Sequence, residues 1–112
     1  MSVRSESMLW LLQRASAAVL AICVLVHLGT IVVATQGGLS AAEILGRTRG
    51  NVVGLLFYAT FVIAAAVHAP IGLRAMLGEW LGWRGASRDV ALGLFALGLA
   101  TLGLRAVIGV FG

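Results

Sequence analysis

Apolar and polar positions divide the chain into three long hydrophobic runs separated by two polar loops. Residues 1–7 are mostly polar. From about Leu11 to Ala34 the chain is apolar, broken only by Gln13, Arg14, Ser16, His27 and Thr30. A loop follows from Thr35 to Gly50, with Gly37-Gly38, Glu43, Arg47 and Arg49. The second run extends from about Asn51 to Leu77, ends in Gly78-Glu79-Trp80, and passes through a turn reaching Ser87. The third covers about Val90 to Phe111, with Arg105 near its end. Each run holds at least ~20 residues, enough for a helix to cross ~30 Å of hydrocarbon. Alternation of period two is absent, and barrel strands need only about ten residues. The pattern predicts an all-α chain with transmembrane helices over about 11–34, 51–77 and 90–111, forming one transmembrane domain over 1–112. Within the first loop, Ser40 followed three residues later by Glu43 predicts a capping box opening a short interfacial helix.

The faces of these helices differ. At 100° per residue, Gln13, Ser16, Cys23, His27 and Thr30 fall within roughly 60° of one direction. A polar stripe on a membrane helix faces protein or a cavity rather than lipid. The second helix carries a stripe of Gly54, Phe57, Phe61, Ala64, Ala65, His68, Gly72, Ala75 and Glu79, in which small residues flank His68. Pro70 removes a backbone donor one turn from Ala66 and predicts a kink near His68. On the third helix Gly93, Ala96, Ala100 and Gly103 form a small-residue ridge suited to close helix packing.

Composition strengthens the membrane reading. Hydrophobic residues make up 61% of the 112 and charged residues 11%, and mean hydropathy is +1.06. A soluble domain carries about a quarter charged residues, so these charges are too few to coat a water-facing surface. All basic residues are Arg, and the net charge is +4. Most of them sit at the ends of apolar runs, as topology signals and lipid-headgroup contacts do. No basic stripe with interleaved aromatics exists, which excludes nucleic acid as a partner. The N-terminal side and second loop together hold Arg4, Arg14, Arg74, Arg84 and Arg88, against Arg47, Arg49 and Arg105 on the other. That asymmetry expects a cytoplasmic N-terminus. Trp10, Trp80 and Trp83 gather at the same face. Cys23 is the only cysteine, so no intrachain disulfide or cysteine cluster can form. The first run is too long for a signal peptide and lacks a cleavage site, so it is expected to remain.

The two histidines, His27 and His68, both lie inside spans. An intramembrane imidazole is costly without a partner, so it points to function. One reading is axial ligation of a b-type haem; the plainer one is a hydrogen bond to a neighbouring helix. Counting ~1.5 Å per residue, His27 lies ~20 Å from Arg14 and His68 ~9 Å from Arg74, both arginines marking one face. The imidazoles then differ in depth by ~10 Å, whereas two ligands of one iron stand only about 4 Å apart. If both bind haem, they bind different haems, and a partner chain supplies the opposite ligands.

Gln13-Arg14-Ala15-Ser16-Ala17 is similar to the Arg-x-Ser/Thr-Gly/Ala opening of the first helix in the membrane-anchor (cytochrome b) subunits of succinate dehydrogenase and fumarate reductase. His68-Ala69-Pro70-Ile71-Gly72-Leu73-Arg74, followed by Glu79-Trp80, resembles that family's His-x-x-x-Gly segment and its acidic–aromatic pair. Three spans in about 110 residues match its plan. The resemblance implies one half of a heterodimeric helix bundle. It implies a second membrane-anchor subunit, an iron–sulfur subunit and a flavoprotein subunit as partners, in a bacterial cytoplasmic membrane. It implies haem b, one or two, and ubiquinone or menaquinone. Position by position, His68 matches the haem ligand, Arg14 the first-helix arginine at the quinone and haem-propionate region, and Glu79-Trp80 the pair beside the quinone. Ser16 stands in the first-helix motif, and Arg74 lies at the same interface. His27 matches the first-helix histidines that bind a second haem in two-haem anchors. Trp80 replaces a more usual Tyr, leaving only its indole N–H to donate. Arg84 and Arg88 are expected at a docking surface or on headgroups.

No nucleophilic or hydrolytic constellation is present, so the chain alone is expected to catalyse nothing. Two other classes fit parts of the pattern. One is a cytochrome b-type anchor of another membrane dehydrogenase. The other is a small non-redox transporter or assembly subunit using the histidines as proton relays.

Overall fold

A computed structural model describes residues 2–112. Four helices follow in order: α1 Val3–Gly37, α2 Ala41–Thr48, α3 Val52–Trp80 and α4 Ala86–Phe111. Among the described residues there is no strand. The three long helices are apolar enough to cross a membrane, and only 6% of the most apolar window of each is buried within the chain. Lipid or partner helices must cover the rest.

The apolar runs are found, but two of the helices extend well beyond them. α1 begins eight residues before Leu11 because Ser2 caps it: its hydroxyl accepts from Ser5 N–H at 3.2 Å. Glu6 in that first turn faces the positive end of the helix dipole. Hydrophobicity marks where the membrane lies; caps mark where the helix stops. α4 likewise starts at Ala86, ahead of its apolar run.

α2 carries the expected capping box. Ser40 N–H donates to Glu43 Oε2 at 2.9 Å, and Glu43 N–H donates to Ser40 Oγ at 3.2 Å. Gly38 precedes it at φ 102°, where a Cβ would collide with the Glu43 carboxyl. The α2–α3 junction closes the end of α4. Thr48 Oγ1 donates to Val110 O at 2.8 Å and Gly50 N–H to Phe111 O at 3.0 Å, satisfying carbonyls with no partner within α4. Asn51 caps α3 by accepting from Gly54 N–H at 3.0 Å.

α3 is the central helix, packed against both α1 and α4. It runs through Pro70 without interruption. Of the small-residue ridge on α4, Gly103 makes the close approach, since any Cβ there would press into the Val62 side chain. Gly93 faces open space. At the N-terminal end of α1, Arg74 joins all three long helices, with Nη2 3.4 Å from Glu6 Oε1 and Nε 3.9 Å from Asp89 Oδ1.

Candidate functional site

The polar stripe of α1 meets the histidine face of α3. Ser16, 7% exposed, lies against His68, with Oγ 3.3 Å from Nδ1. The same hydroxyl donates to Gln13 O at 3.1 Å, as serine does when it bonds back one turn along a helix. With the hydroxyl proton on Gln13 O, Oγ can accept from a protonated His68 Nδ1. That tautomer leaves Nε2 with a bare lone pair, the form in which imidazole ligates a metal. One turn further, the Gln13 side-chain nitrogen lies 3.4 Å from where a Cβ on Gly72 would stand. Part of the space that small residues leave beside His68 is therefore used by α1 itself. Gln13 Oε1 is buried and has no hydrogen-bond partner among the described residues.

His27 sits elsewhere. Its Nδ1 lies 3.2 Å from the Tyr58 hydroxyl, and its ring meets Tyr58 and Phe61 edge-on. Ser16 and His27 are eleven residues apart and His68 and Tyr58 ten, so the imidazoles are separated by ~15 Å along the bundle. The offset exceeds the ~10 Å expected from the sequence. Ser16 and Tyr58 show where each histidine packs, whereas arginines as depth markers carry the uncertainty of long, mobile side chains. One iron cannot take both residues.

The remaining stripe residues are accounted for singly. Cys23 is buried, and Thr30 is exposed with its hydroxyl turned back to His27 O at 2.7 Å. Arg14 is exposed and stacks its guanidinium 5.3 Å from the Trp10 ring centroid. Arg74 is bound to Glu6 and Asp89. Glu79 and Trp80 are exposed at the end of α3, and Glu79 makes no hydrogen bond among the described residues. His68 and Ser16 are thus brought together, while Arg14, Glu79 and Trp80 stand at the same end of the bundle without touching that pair.

Arg88 departs from expectation. It is 8% exposed rather than on an outer surface. Its Nε and Nη2 hold Asp89 Oδ1 at 3.1 and 3.0 Å, and Nη1 lies over Gly78, whose carbonyl accepts from Arg84 Nη2 at 2.9 Å. Both guanidinium groups serve the last turn of α3, where the helix dipole is negative. Tyr58 was missed altogether, although it is the only tyrosine of the chain and lies in an apolar run. That solitary phenol was the available signal.

His68 Nδ1 has a hydroxyl neighbour of the kind that ligating histidines hold, and Nε2 has no hydrogen bond among the described residues, a donor arrangement that would fit a haem iron. A family model described as succinate dehydrogenase/fumarate reductase transmembrane subunit matches residues 1–108. No curated protein and no solved structure matches the chain.

Proposed function

The chain belongs to the succinate dehydrogenase/fumarate reductase transmembrane-subunit family, and on that premise we propose that it binds haem b through His68 and serves electron transfer to or from a quinone. It is a multi-pass membrane anchor of such a complex. The single observation that supports the finer reading is the Ser16–His68 contact at 3.3 Å, in which the hydroxyl can hold Nδ1 while Nε2 has no hydrogen bond among the described residues.

Each residue has a role in this reading. Ser16 accepts from Nδ1 and makes the imidazole a stronger donor. Haem supplies reversible one-electron carriage when bound. Arg14, with no hydrogen bond of its own among the described residues, pairs with a propionate or a reduced quinone oxygen. Arg74 shares that interface but is also a bridge to Glu6 and Asp89. Glu79 and Trp80 stand beside the quinone, ubiquinone or menaquinone, with Glu79 positioned for proton delivery. A second anchor subunit would complete the haem site, and the iron–sulfur and flavoprotein subunits dock on the side holding Arg74. That side is cytoplasmic, in a bacterial inner membrane, by the arginine excess. A second haem on His27 is supported by the ~15 Å offset, which gives each imidazole its own iron.

The test is a reduced-minus-oxidised spectrum of the purified complex with its haem-to-flavin ratio. A b-type spectrum lost in His68→Leu, with flavin retained, is expected. A colourless wild-type complex that retains flavin would leave the family standing and remove the haem role.

A further inference from the structure

At the end opposite Arg74, all four helices line a cleft of about 500 Å³. We propose that it is the seat of one anionic phospholipid, with an acyl chain in the cleft and the phosphate on Arg47. This goes beyond the redox reading at His68 and does not depend on it; because His27 lines the cleft, it competes there with a second haem.

The first argument is the gradient of polarity. The walls are aliphatic, including Val26, Ile31, Ala34, Ile44 and Val110, while the mouth carries Arg47. An occupant must therefore be apolar along its body and charged only at the interface. A phospholipid enters with that polarity; a group with its polar part at depth does not. The inner end is lined by His27 and Tyr58, whose Nδ1 and hydroxyl lie 3.2 Å apart.

The second argument is length. Arg47 Nη2 donates to Gly38 O at 2.9 Å, which places the guanidinium at the top of α1. His27 lies ten residues below Gly37, or ~15 Å. Half of a ~30 Å hydrocarbon core is also ~15 Å, the depth of one leaflet's acyl chains.

The third argument is charge. Arg47 spends one of its five N–H donors on Gly38, and the others are available to a phosphate. Glu43, the acid on α2, is turned into the Ser40 capping box and interacts with Arg47 only as a minor electrostatic contribution. Arg49 adds a second exposed cation beside the mouth. This end of the molecule therefore attracts an anion.

The experiment uses the assembled complex, delipidated stepwise and returned to nanodiscs of phosphatidylglycerol or phosphatidylcholine, with retained lipid read by native mass spectrometry. The wild type is expected to keep one phosphatidylglycerol more tenaciously than phosphatidylcholine. Arg47→Gln should erase that preference by roughly fivefold, the size of one arginine–headgroup interaction. Ala34→Phe, which fills the cleft, should expel the lipid while the complex stays assembled with its subunit stoichiometry unchanged. If Ala34→Phe does not assemble, Ile31→Trp occupies the same space. Equal retention of both lipids by the wild type, or retention unchanged by the filling variant, overturns the proposal. Loss of a haem or quinone instead of lipid on filling would also overturn it, giving the cleft to that group.

Discussion

Ser16 on α1 and His68 on α3 are 52 residues apart in sequence, and their side chains meet at 3.3 Å. The bond does two things. It joins the two helices at a part-buried point, and with Nδ1 as donor it leaves Nε2 to ligate. Ser16→Ala removes the acceptor and leaves Nδ1–H unpaired. Loss of such a second partner costs roughly 10–100-fold in metal-site affinity or activity. The Ser16→Ala complex should bind haem more weakly, and the haem it keeps should titrate at a higher midpoint potential, because the imidazole donates less charge to ferric iron. Ser16→Thr, which keeps a hydroxyl, should restore both. Wild-type haem content and potential in Ser16→Ala would show that the hydroxyl does not act on the ligand.

Gly103 is the point where α4 approaches α3, against Val62. A methyl group there overpacks the interface, at about 1–3 kcal/mol. Gly103→Ala should lower the midpoint of thermal unfolding in detergent. Adding Val62→Ala should recover much of the loss, a coupling that only touching residues produce. Gly93→Ala, with open space around its Cα, should not lower the midpoint and should raise it slightly through alanine's better helix propensity.

Among the described residues Asp89 is the one carboxylate that holds Arg88, at 3.0 Å, and it also faces Arg74 at 3.9 Å. Arg88 is buried, so removing its counter-charge leaves a cation without compensation. The cost of an orphaned buried charged group is about 1–3 kcal/mol or more, and the half-exposed Asp89 side chain keeps the value near the lower end. Asp89→Asn should therefore destabilise the α3–α4 turn, seen as faster proteolysis between Trp80 and Ser87. Glu6→Gln breaks a more exposed pair at 3.4 Å and should change stability by less than about 1 kcal/mol. Equal effects from the two substitutions would contradict this ordering.

The sequence discloses these elements unevenly, for physical reasons. Long apolar runs and the Ser40–Glu43 capping box are local signals, and the helices they predict are present. The helix starts at Val3 and Ala86 lie outside the apolar runs, so hydrophobicity could not locate them. The α1 stripe contains the residue that meets His68, because a helical period is enough to place Ser16 on the His27 face. Which residue of another helix answers it depends on axial register, which no single-helix pattern encodes. That is why Tyr58 went unseen and the imidazole offset came out short. Arg88 was misplaced for a related reason: a terminal arginine reads as surface until its carboxylate partner and the glycine beneath it are known.

The capping box gives α2 a dependence on pH. Glu43 titrates below its ordinary value of 4.5, chiefly because the Ser40 backbone N–H bonds its ionised carboxylate, with the Ser40 side chain adding to it and Arg47 contributing less. A lowered carboxyl pKa in the folded state contributes stability that is complete above the unfolded value and lost as pH falls through the folded one. Amide exchange across Ala41–Thr48 should be slow and flat at neutral pH and accelerate below about 4.5, after correction for intrinsic rates. Glu43→Ala should exchange faster throughout and lose the acid step. Glu43→Gln, which can still bond Ser40 N–H, should retain slow exchange without the step.

His27 and His68 stand ~15 Å apart along the bundle, and each is held by a different residue. Substituting one should therefore leave the other's surroundings intact. In a complex carrying two haems, His27→Leu should remove one haem per flavin and leave the potential of the other close to wild type, while His68→Leu should do the reverse. Tyr58→Phe should disturb only the His27 component, since the phenol lies within reach of that imidazole alone. The measurement is a redox titration of each variant, resolved into its components. If His27→Leu keeps the wild-type haem-to-flavin ratio, His27 has no ligand role and its bond to Tyr58 is a packing contact of α1 on α3. If either substitution removes all haem while the complex stays assembled, the two sites are not independent and the separation read from the helices does not govern binding.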